Sequence, residues 1–315
     1  MTQKLHEGER AMHELLGVAE QVEPMLQRML RDFMPDQQRE FYARLPFLVV
    51  GSLDDQGRPW ASLVSGEPGF VSTPDDRTIS VRAQALPGDP LGANLVPGAA
   101  VGCLGIELAA RRRNRANGRL AGVHAHGFDV AVDFAFGNCP KYIQARSIGF
   151  APGPAQAGAP GASDHLDAAR TRLVEQADTF FIASRHADDD RDPRHGVDVS
   201  HRGGRPGFAC VRDGKQLVFP DFAGNFHFAT LGNVLVDARV GLLFIGFAQR
   251  DLLWITGRAQ IVWIGPEVEQ FEGAERLVIV DIDEARWSEG ALPLESGPAE
   301  LSPFHQHTGT WPKVG

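Results

Sequence analysis

The chain has 315 residues, enough for two ordinary domains or one large one. Hydrophobic residues make up 43% and charged residues 23%, values of a soluble chain with a sizeable core. Lys+Arg 31 against Asp+Glu 40 leaves a net charge of −9, which argues against a nucleic-acid backbone as main partner, since such binding needs excess cation on one face. Three scattered cysteines, Cys103, Cys139 and Cys210, make neither a disulfide framework nor a zinc cluster. The first residues lack the apolar core of a secretory signal, and no apolar run has transmembrane length. A cytoplasmic protein with no membrane partner is therefore expected.

In chain order, apolar residues recur at three and four from Met12 to Phe33, predicting an amphipathic helix broken or restarted at Pro24. A short helix over 37–44 follows, with Asp36 placed to cap it. The period then changes. Phe47–Val50 reads as a buried strand, 54–57 as a turn, and Trp60–Val64 as the hairpin partner. Gly 35, Pro 21 and Phe 19 against Tyr 2 favour sheet over helix bundle.

An internal repeat organises the rest. PFLVVGS (46–52), EPGFV (67–71), VGCLGI (101–106) and ANGRL (116–120) return as TFFIAS (179–184), RPGFA (205–209), VGLLFI (240–245) and ITGRA (255–259). Val130–Phe134 resembles Val278–Ile282. The second copy has a few more residues in its first hairpin, supplied by the polar loop 187–192, whose Asp188, Asp189 and Asp190 need be nothing else. The expected organisation is N-terminal helices plus a first barrel over 1–150, and a Pro/Gly/Ala linker over 151–163 with nothing to pack. A second barrel over 164–290 follows, introduced by a helix that Ser163 caps, then a C-terminal arm over 291–315 to wrap a partner.

The stretch Val197–Phe208, the run Leu217–Asn225, Thr230–Asn233 and the VGLLFI strand carry a resemblance in the second copy. In the first copy it rests on Gly57–Ser62, Arg111–Gly118 and Phe136–Ile143. Together they resemble the pyridoxamine 5′-phosphate oxidase-like family of FMN-binding split β-barrels, in its tandem-barrel flavin-nucleotide-binding form, over roughly residues 40–285. The resemblance implies a mainly β fold with flanking helices, two tandem split barrels, and FMN at the groove between barrels. It implies an oxidoreductase moving hydride or electrons through the flavin, with the electron donor supplied from outside and a small molecule as substrate. Chains of this kind pair their barrels either within one chain, as a pseudo-dimer, or between two chains as a homodimer.

Carried over residue by residue, the resemblance places Ser200, His201, Arg202 and Gly203 on the strand and turn facing the cofactor, with Arg205 nearby. Pro220, Asp221 and Asn225 would contact ribityl and phosphate groups, and Thr230 and Asn233 lie on the short helix behind. Asn225-Phe226 stands where the oxidases proper place an Arg-Lys pair, so phosphate charge falls to Arg202, to Lys141 or to Arg113 and its neighbours in the Arg111–Arg115 cluster. That departure also puts pyridoxamine phosphate in doubt as substrate.

Leu63, Val64 and Ser65 stand where the second copy has His201, Arg202 and Gly203, so one site-bearing and one supporting barrel are expected. His124-x-His126 and His305-x-His307 have strand spacing but no ligand partners at fixed distance, so no metal is expected there. His201 and His227 stand closest to the expected flavin, as surface residue or as proton donor. Cys139, before Pro140, reads as a structural cysteine or as an activated thiol. No catalytic acid or base is named. Two readings stay open beside the FMN enzyme: a non-catalytic module that stores flavin or haem, and a deazaflavin-dependent reductase.

Overall fold

The structure is a computed structural model describing residues 3–153, 160–187 and 192–312. Asp188–Asp190 and residues 154–159 of the 151–163 linker lie outside the described residues. Three helices come first: α1 (Glu7–Leu15), α2 (Ala19–Met29) and α3 (Asp36–Ala43). The first sheet takes β1 (Phe47–Leu53), β2 (Pro59–Ser65), β3 (Val71–Ser72), β4 (Thr78–Val81), the short α4 (Leu91–Asn94), β5 (Ala100–Glu107), β6 (Arg112–His124) and β7 (Gly127–Gly137). β8 (Ile148–Phe150), β9 (Gly161–Ser163) and α5 (Ala168–Gln176) join it to the second set. That set is β10 (Thr179–Arg185), β11 (Val197–Gly203), β12 (Cys210–Arg212), β13 (Gln216–Phe222), α6 (Ala229–Val236), β14 (Arg239–Gly246), β15 (Asp251–Val262), α7 (Pro266–Gln270) and β16 (Ala274–Ser288). β17 (Leu294–Ser296) closes the series.

The sheet orders are β2-β1-β5-β6-β7-β4-β3 and β11-β10-β14-β15-β16-β13-β12, the same path walked twice. The fold is thus mainly β with flanking helices, in two tandem split barrels. The repeated motifs of 46–120 and 179–259 hold the same places in both, while Val130 falls in register with Val280 rather than Val278. The glycine of ANGRL and ITGRA shows why the repeat is so local: β-bulges fall at Asn117/Gly118 and at Thr256/Gly257. A Cβ would lie 1.9 Å from the Ala131 carbonyl oxygen at Gly118 and 2.1 Å from that of Asp281 at Gly257. Only glycine lets the long central strands cross so closely.

Strands β1 and β10 are buried along nearly their whole length, which explains their unbroken apolar runs. Leu48 and Val50 enter the first barrel's core while Phe47 and Val49 face the other way. In β10, Phe180 and Ile182 point inward, and Phe181 and Ala183 outward. The outward residues meet in one shared layer with Trp60, Leu104, Leu243 and Trp254, all fully buried. The two barrels are therefore joined face to face by a dry core. Gly102 and Gly241 hold matching places there: a Cβ on either would strike the backbone of β11 or β2, at 2.8 and 2.3 Å.

Four local expectations change. The first helix breaks at Leu16–Val18, where Gly17 takes a φ of 66°, and Pro24 is carried inside α2. Glycine reaches the left-handed region without cost, whereas proline only removes one hydrogen bond. Asp36 is the first helical residue and binds Arg39 at 3.2 Å rather than capping. Asp167, not Ser163, caps α5 by accepting from the Ala169 and Arg170 amides at 3.0 and 2.9 Å. Ser163 belongs to β9, which pairs with β16 and so gives the end of the linker something to pack on.

The C-terminal arm packs on its own chain. β17 pairs with β8, the Ser302 amide donates to Gln144 Oε1 at 2.7 Å, and Trp311 Nε1 donates to the Phe208 carbonyl at 3.0 Å. At the other end, α1 crosses onto α6 of the second half, with Gly8 against Gly232 at the crossing. Among the described residues no helix is long and apolar enough to cross a membrane.

Candidate functional site

Both halves contribute walls to a cavity of about 100 Å³. The second half supplies Ser200–Gly203 at the end of β11, Pro220–Phe222 at the end of β13, and the 224–230 turn into α6. The first half sends Arg113 and Arg115 from β6, and Asn138, Cys139, Lys141 and Tyr142 from the segment after β7. The loops are held in demanding shapes. Tyr142, Phe226 and Phe228 have φ of 66°, 59° and 52°, a region non-glycine residues seldom occupy. The Phe226 carbonyl is anchored by His13 Nε2 at 2.7 Å, so α1 helps to set this turn.

Positive charge collects here in a chain that is negative overall. Arg113 Nη1 donates to the His201 carbonyl at 3.2 Å and Nε to the Cys139 carbonyl at 2.9 Å, neither of them a counter-charge. Burial, then Arg115, lowers the Arg113 pKa to about 9. A guanidinium stays protonated at neutral pH, so Arg113 is a buried cation whose hydrogen bonds go to neutral carbonyls. Arg115 is paired with Asp198 at 3.0 Å and donates to Ser200 Oγ at 2.6 Å. Arg202 donates to Asp221 at 2.6 Å, and Arg276 stands 3.6 Å from the same carboxylate. Burial first, then Arg113, holds His201 well below the ordinary histidine pKa, so it is a neutral imidazole.

Several buried polar atoms around the cavity have no hydrogen-bond partner: Arg115 Nε, Asn138 Oδ1, His201 Nε2, Arg202 Nε and both ring nitrogens of His227. Unmet buried groups are expensive, and their concentration at one cavity marks a place built for a ligand. His227 stacks on Phe136 with centroids 4.6 Å apart and planes 7° from parallel. This pair makes a flat wall between the cavity and a second one of about 60 Å³, lined by Asn117, Asp198 and His195 among others. Burial lowers the His227 pKa to about 4 and raises that of Glu9, 3.5 Å away on α1, to about 8.

Of the residues expected from the sequence, Arg113, Lys141, Ser200, His201, Arg202, Gly203, Pro220, Asp221, Asn225 and Thr230 all line this cavity. Gly203 is a close approach: a Cβ would lie 2.0 Å from the Tyr142 carbonyl oxygen. Thr230 Oγ1 donates to Ser200 Oγ at 2.8 Å, and the Asn225 side chain accepts from the His227 amide at 3.3 Å. Two residues do not join them. Arg205 is exposed and binds the His305 carbonyl at 2.6 Å, because the turn after β11 carries it toward the C-terminal arm. Asn233 donates to Ser184 Oγ at 3.1 Å, the same bond that Asn94 makes to Ser52 at 3.0 Å in the first half. Its side chain pins a helix to a strand.

Cys139 lines the cavity, and its sulfur accepts from the Lys141 amide at 3.5 Å. His305 is spent on Gln144 at 2.8 Å and Thr308 at 2.9 Å, a structural role. Glu9 was not singled out from the sequence, and Phe136 entered only as the start of the 136–143 motif. Glu9 shares a helix with ordinary surface glutamates, and only its place beside the apolar Met12 stripe hinted at burial.

No family model matches the chain, and no curated protein matches it. Solved structures do. HupZ of Group A Streptococcus is 10% identical with TM-score 0.30, covering 37% of this chain and 90% of its own. An FAD-binding protein of Mesorhizobium loti is 12% identical with TM-score 0.26, covering 42% of this chain and 98% of its own. HutZ of Vibrio cholerae, described as a haem storage protein, is 13% identical with TM-score 0.27, covering 40% and 96%. Likeness at this level says nothing of what this chain binds.

Proposed function

We propose that the chain is a flavoprotein that holds FMN at this cavity and works as an oxidoreductase on a small molecule, its electrons coming from an external donor. The observation that carries the reading is the convergence of Arg113, Arg115, Arg202 and Lys141 on one cavity that also gathers unpartnered buried polar atoms. Such a donor set suits a phosphate monoester, which takes several charge-assisted hydrogen bonds at once. The cavity is smaller than the roughly 300–1,000 Å³ usual for small-molecule sites. Its size suits the phosphoryl end of the ligand, and the neighbouring cavity of about 60 Å³, which Phe136 and His227 both line, would take part of the ring system. Bound FMN would supply the hydride or electron chemistry. Arg113, Arg202 and Lys141 would bind the phosphate, Ser200 and Thr230 would orient the ribityl chain, and α1 would exclude water from the groove.

The purified protein, mixed with FMN, riboflavin, haem or a deazaflavin, tests this by absorbance and by ligand-fluorescence quenching. FMN is expected to bind at least about tenfold more tightly than riboflavin, the value of one or two charge-assisted bonds. Reduced nicotinamide should be consumed when FMN and a suitable acceptor are present. A protein that binds no flavin, or that binds riboflavin as well as FMN, overturns the phosphate assignment. One observation favours the haem alternative: His227 is neutral, its Nδ1 faces Glu9 at 3.5 Å, and its Nε2 has no hydrogen-bond partner among the described residues, which suits a histidine that holds haem iron. Haem bound in preference to FMN, and lost in His227→Ala, would establish that reading instead.

A further inference from the structure

Outside the cavity, a second group of chemistry-bearing side chains gathers where α1 meets the end of β10. His6 and Glu7 come from the start of α1, His186 from the residue after β10, and His195 from just before β11. One ligand atom from each of His6, Glu7 and His186 lies within 4.8 Å of the other two. His186 Nε2 is already 2.7 Å from Glu7 Oε1, and His195 Nε2 is 3.9 Å from Glu7 Oε2. The His186 and His195 rings stack with centroids 3.7 Å apart and planes 5° from parallel, and the His6 ring sits 5.1 Å from His186.

We propose that His6, Glu7 and His186 form a three-ligand binding site for a divalent transition metal such as zinc, which clamps α1 to the second barrel. Two imidazoles and one carboxylate are a donor set that borderline metals favour, with water completing the tetrahedron. The imidazoles are buried and the carboxylate is 62% exposed, so the site has both a fixed floor and an entry path. Ligand atoms around tetrahedral zinc stand about 3.3–3.5 Å apart. Closure from the present spacing therefore asks a shift of about 1 Å, within the reach of the exposed Glu7. His6 has the most to rearrange, because its Nδ1 accepts the Gly8 amide at 3.1 Å as the cap of α1. Ligation through that nitrogen exchanges the cap for the metal, and the metal then anchors the helix start in its place.

The clamp has a consequence for the site described above. α1 carries Glu9 and His13, which face His227 and the Phe226 carbonyl. Fixing the start of α1 would fix the cover of the cofactor groove.

The experiment is calorimetric titration of the full chain, stripped with chelator, with zinc chloride alone, accompanied by a melting curve with and without the metal. One zinc per chain is expected, with a rise in melting temperature. Glu7→Gln and His186→Ala should each weaken binding at least about tenfold. A double His124→Ala, His126→Ala variant, which removes the strand-spaced pair elsewhere on the first barrel, should bind as the parent does. No saturable binding overturns the proposal, as does a Glu7→Gln variant that binds unchanged or loss of binding in the His124/His126 variant. If His186→Ala fails to fold, Glu7→Gln decides, since its side chain is largely exposed. The readout uses no flavin, so the result stands apart from the FMN reading.

Discussion

The two barrels have the same strand order, and each sends one residue of its long central hairpin into the groove beside the other. In matching registers, Arg115 faces Leu104 across β5 and β6, and Trp254 faces Leu243 across β14 and β15. Arg115 crosses to Ser200 and Asp198 of the second half, and Trp254 crosses to stand beside Asp89 in the first. The strand that receives them differs in the same sense. Trp60, Leu63 and Val64 on β2 hold the places that Asp198, His201 and Arg202 hold on β11. One groove is filled with indole and aliphatic carbon, while the other keeps a cavity lined with cations and unpartnered polar atoms. A duplicated barrel thus has two equivalent positions, and this chain closed one with tryptophan while building the other from charge.

That contrast can be broken first at Trp254. Its indole is fully buried, so Trp254→Ala should cost about 3–5 kcal/mol. Chemical denaturation measures the loss, and FMN affinity should stay within about twofold of the parent. A matching loss of FMN binding would mean that the filled groove is the working one. Arg115→Met comes next. It strands the Asp198 carboxylate, which is 4% exposed, and should destabilise by about 3–5 kcal/mol. Adding Asp198→Asn should recover part of that, and failure to recover it would remove the pair from the account.

Arg113→Ala and Arg202→Ala sharpen the comparison on the binding side. Each should weaken FMN about tenfold or more and leave riboflavin nearly unchanged, as read by fluorescence quenching. Grafting Leu63→His and Val64→Arg into the first half should leave the stoichiometry at one FMN per chain, because Trp254 still fills the groove. The smallest effect concerns the shared pins. Asn94→Ala and Asn233→Ala should cost about 1 kcal/mol each. A larger drop in FMN affinity from Asn233→Ala than from Asn94→Ala would return Asn233 to the ligand site.

The grooves also differ in how they answer pH. Burial lifts the Asp89 carboxyl of the first groove to about 7, and that of Glu9, beside the second, to about 8. The folded chain therefore holds these protons where the unfolded chain has already released them. The stability they contribute is complete below about pH 4 and is lost as pH rises through 7 and 8. His227 works the other way. Its pKa falls to about 4, so stability falls as pH drops below the ordinary histidine value of 6.5. Urea midpoints measured from pH 5 to 9 should decline on the alkaline side, and Glu9→Gln should flatten that decline. An unchanged slope in Glu9→Gln would place the alkaline loss elsewhere.

Much of the architecture was legible because the repeat is written in local terms. A bulge glycine, a PGF turn and a doubly buried strand each force a short pattern, and each pattern appears twice. Helix boundaries were less legible. Gly17 rather than Pro24 made the break, and Asp167 rather than Ser163 made the cap, since both depend on a single backbone angle or reach. At the site, the residues carried on β11 and β13 line one cavity, as their pattern groups them. Arg205 and Asn233 do not line it, because a side chain one turn further on can serve an arm or a strand without any change in the motif.

The chain's length and its charge of −9 set two limits, room for two barrels and no general attraction for polyanions. The sequence by itself determined that the barrels are copies, since strand periodicity and turn glycines act over a few residues. Which groove carries polar residues was already legible in His201 and Arg202 against Leu63 and Val64, and tertiary structure chose what completes each groove. That choice rests on Arg115 and Trp254 crossing between halves, and on α1 bringing Glu9 to His227 across more than two hundred residues. Contacts at such separation leave no period in the chain, and burial and charge become visible only once the halves are packed.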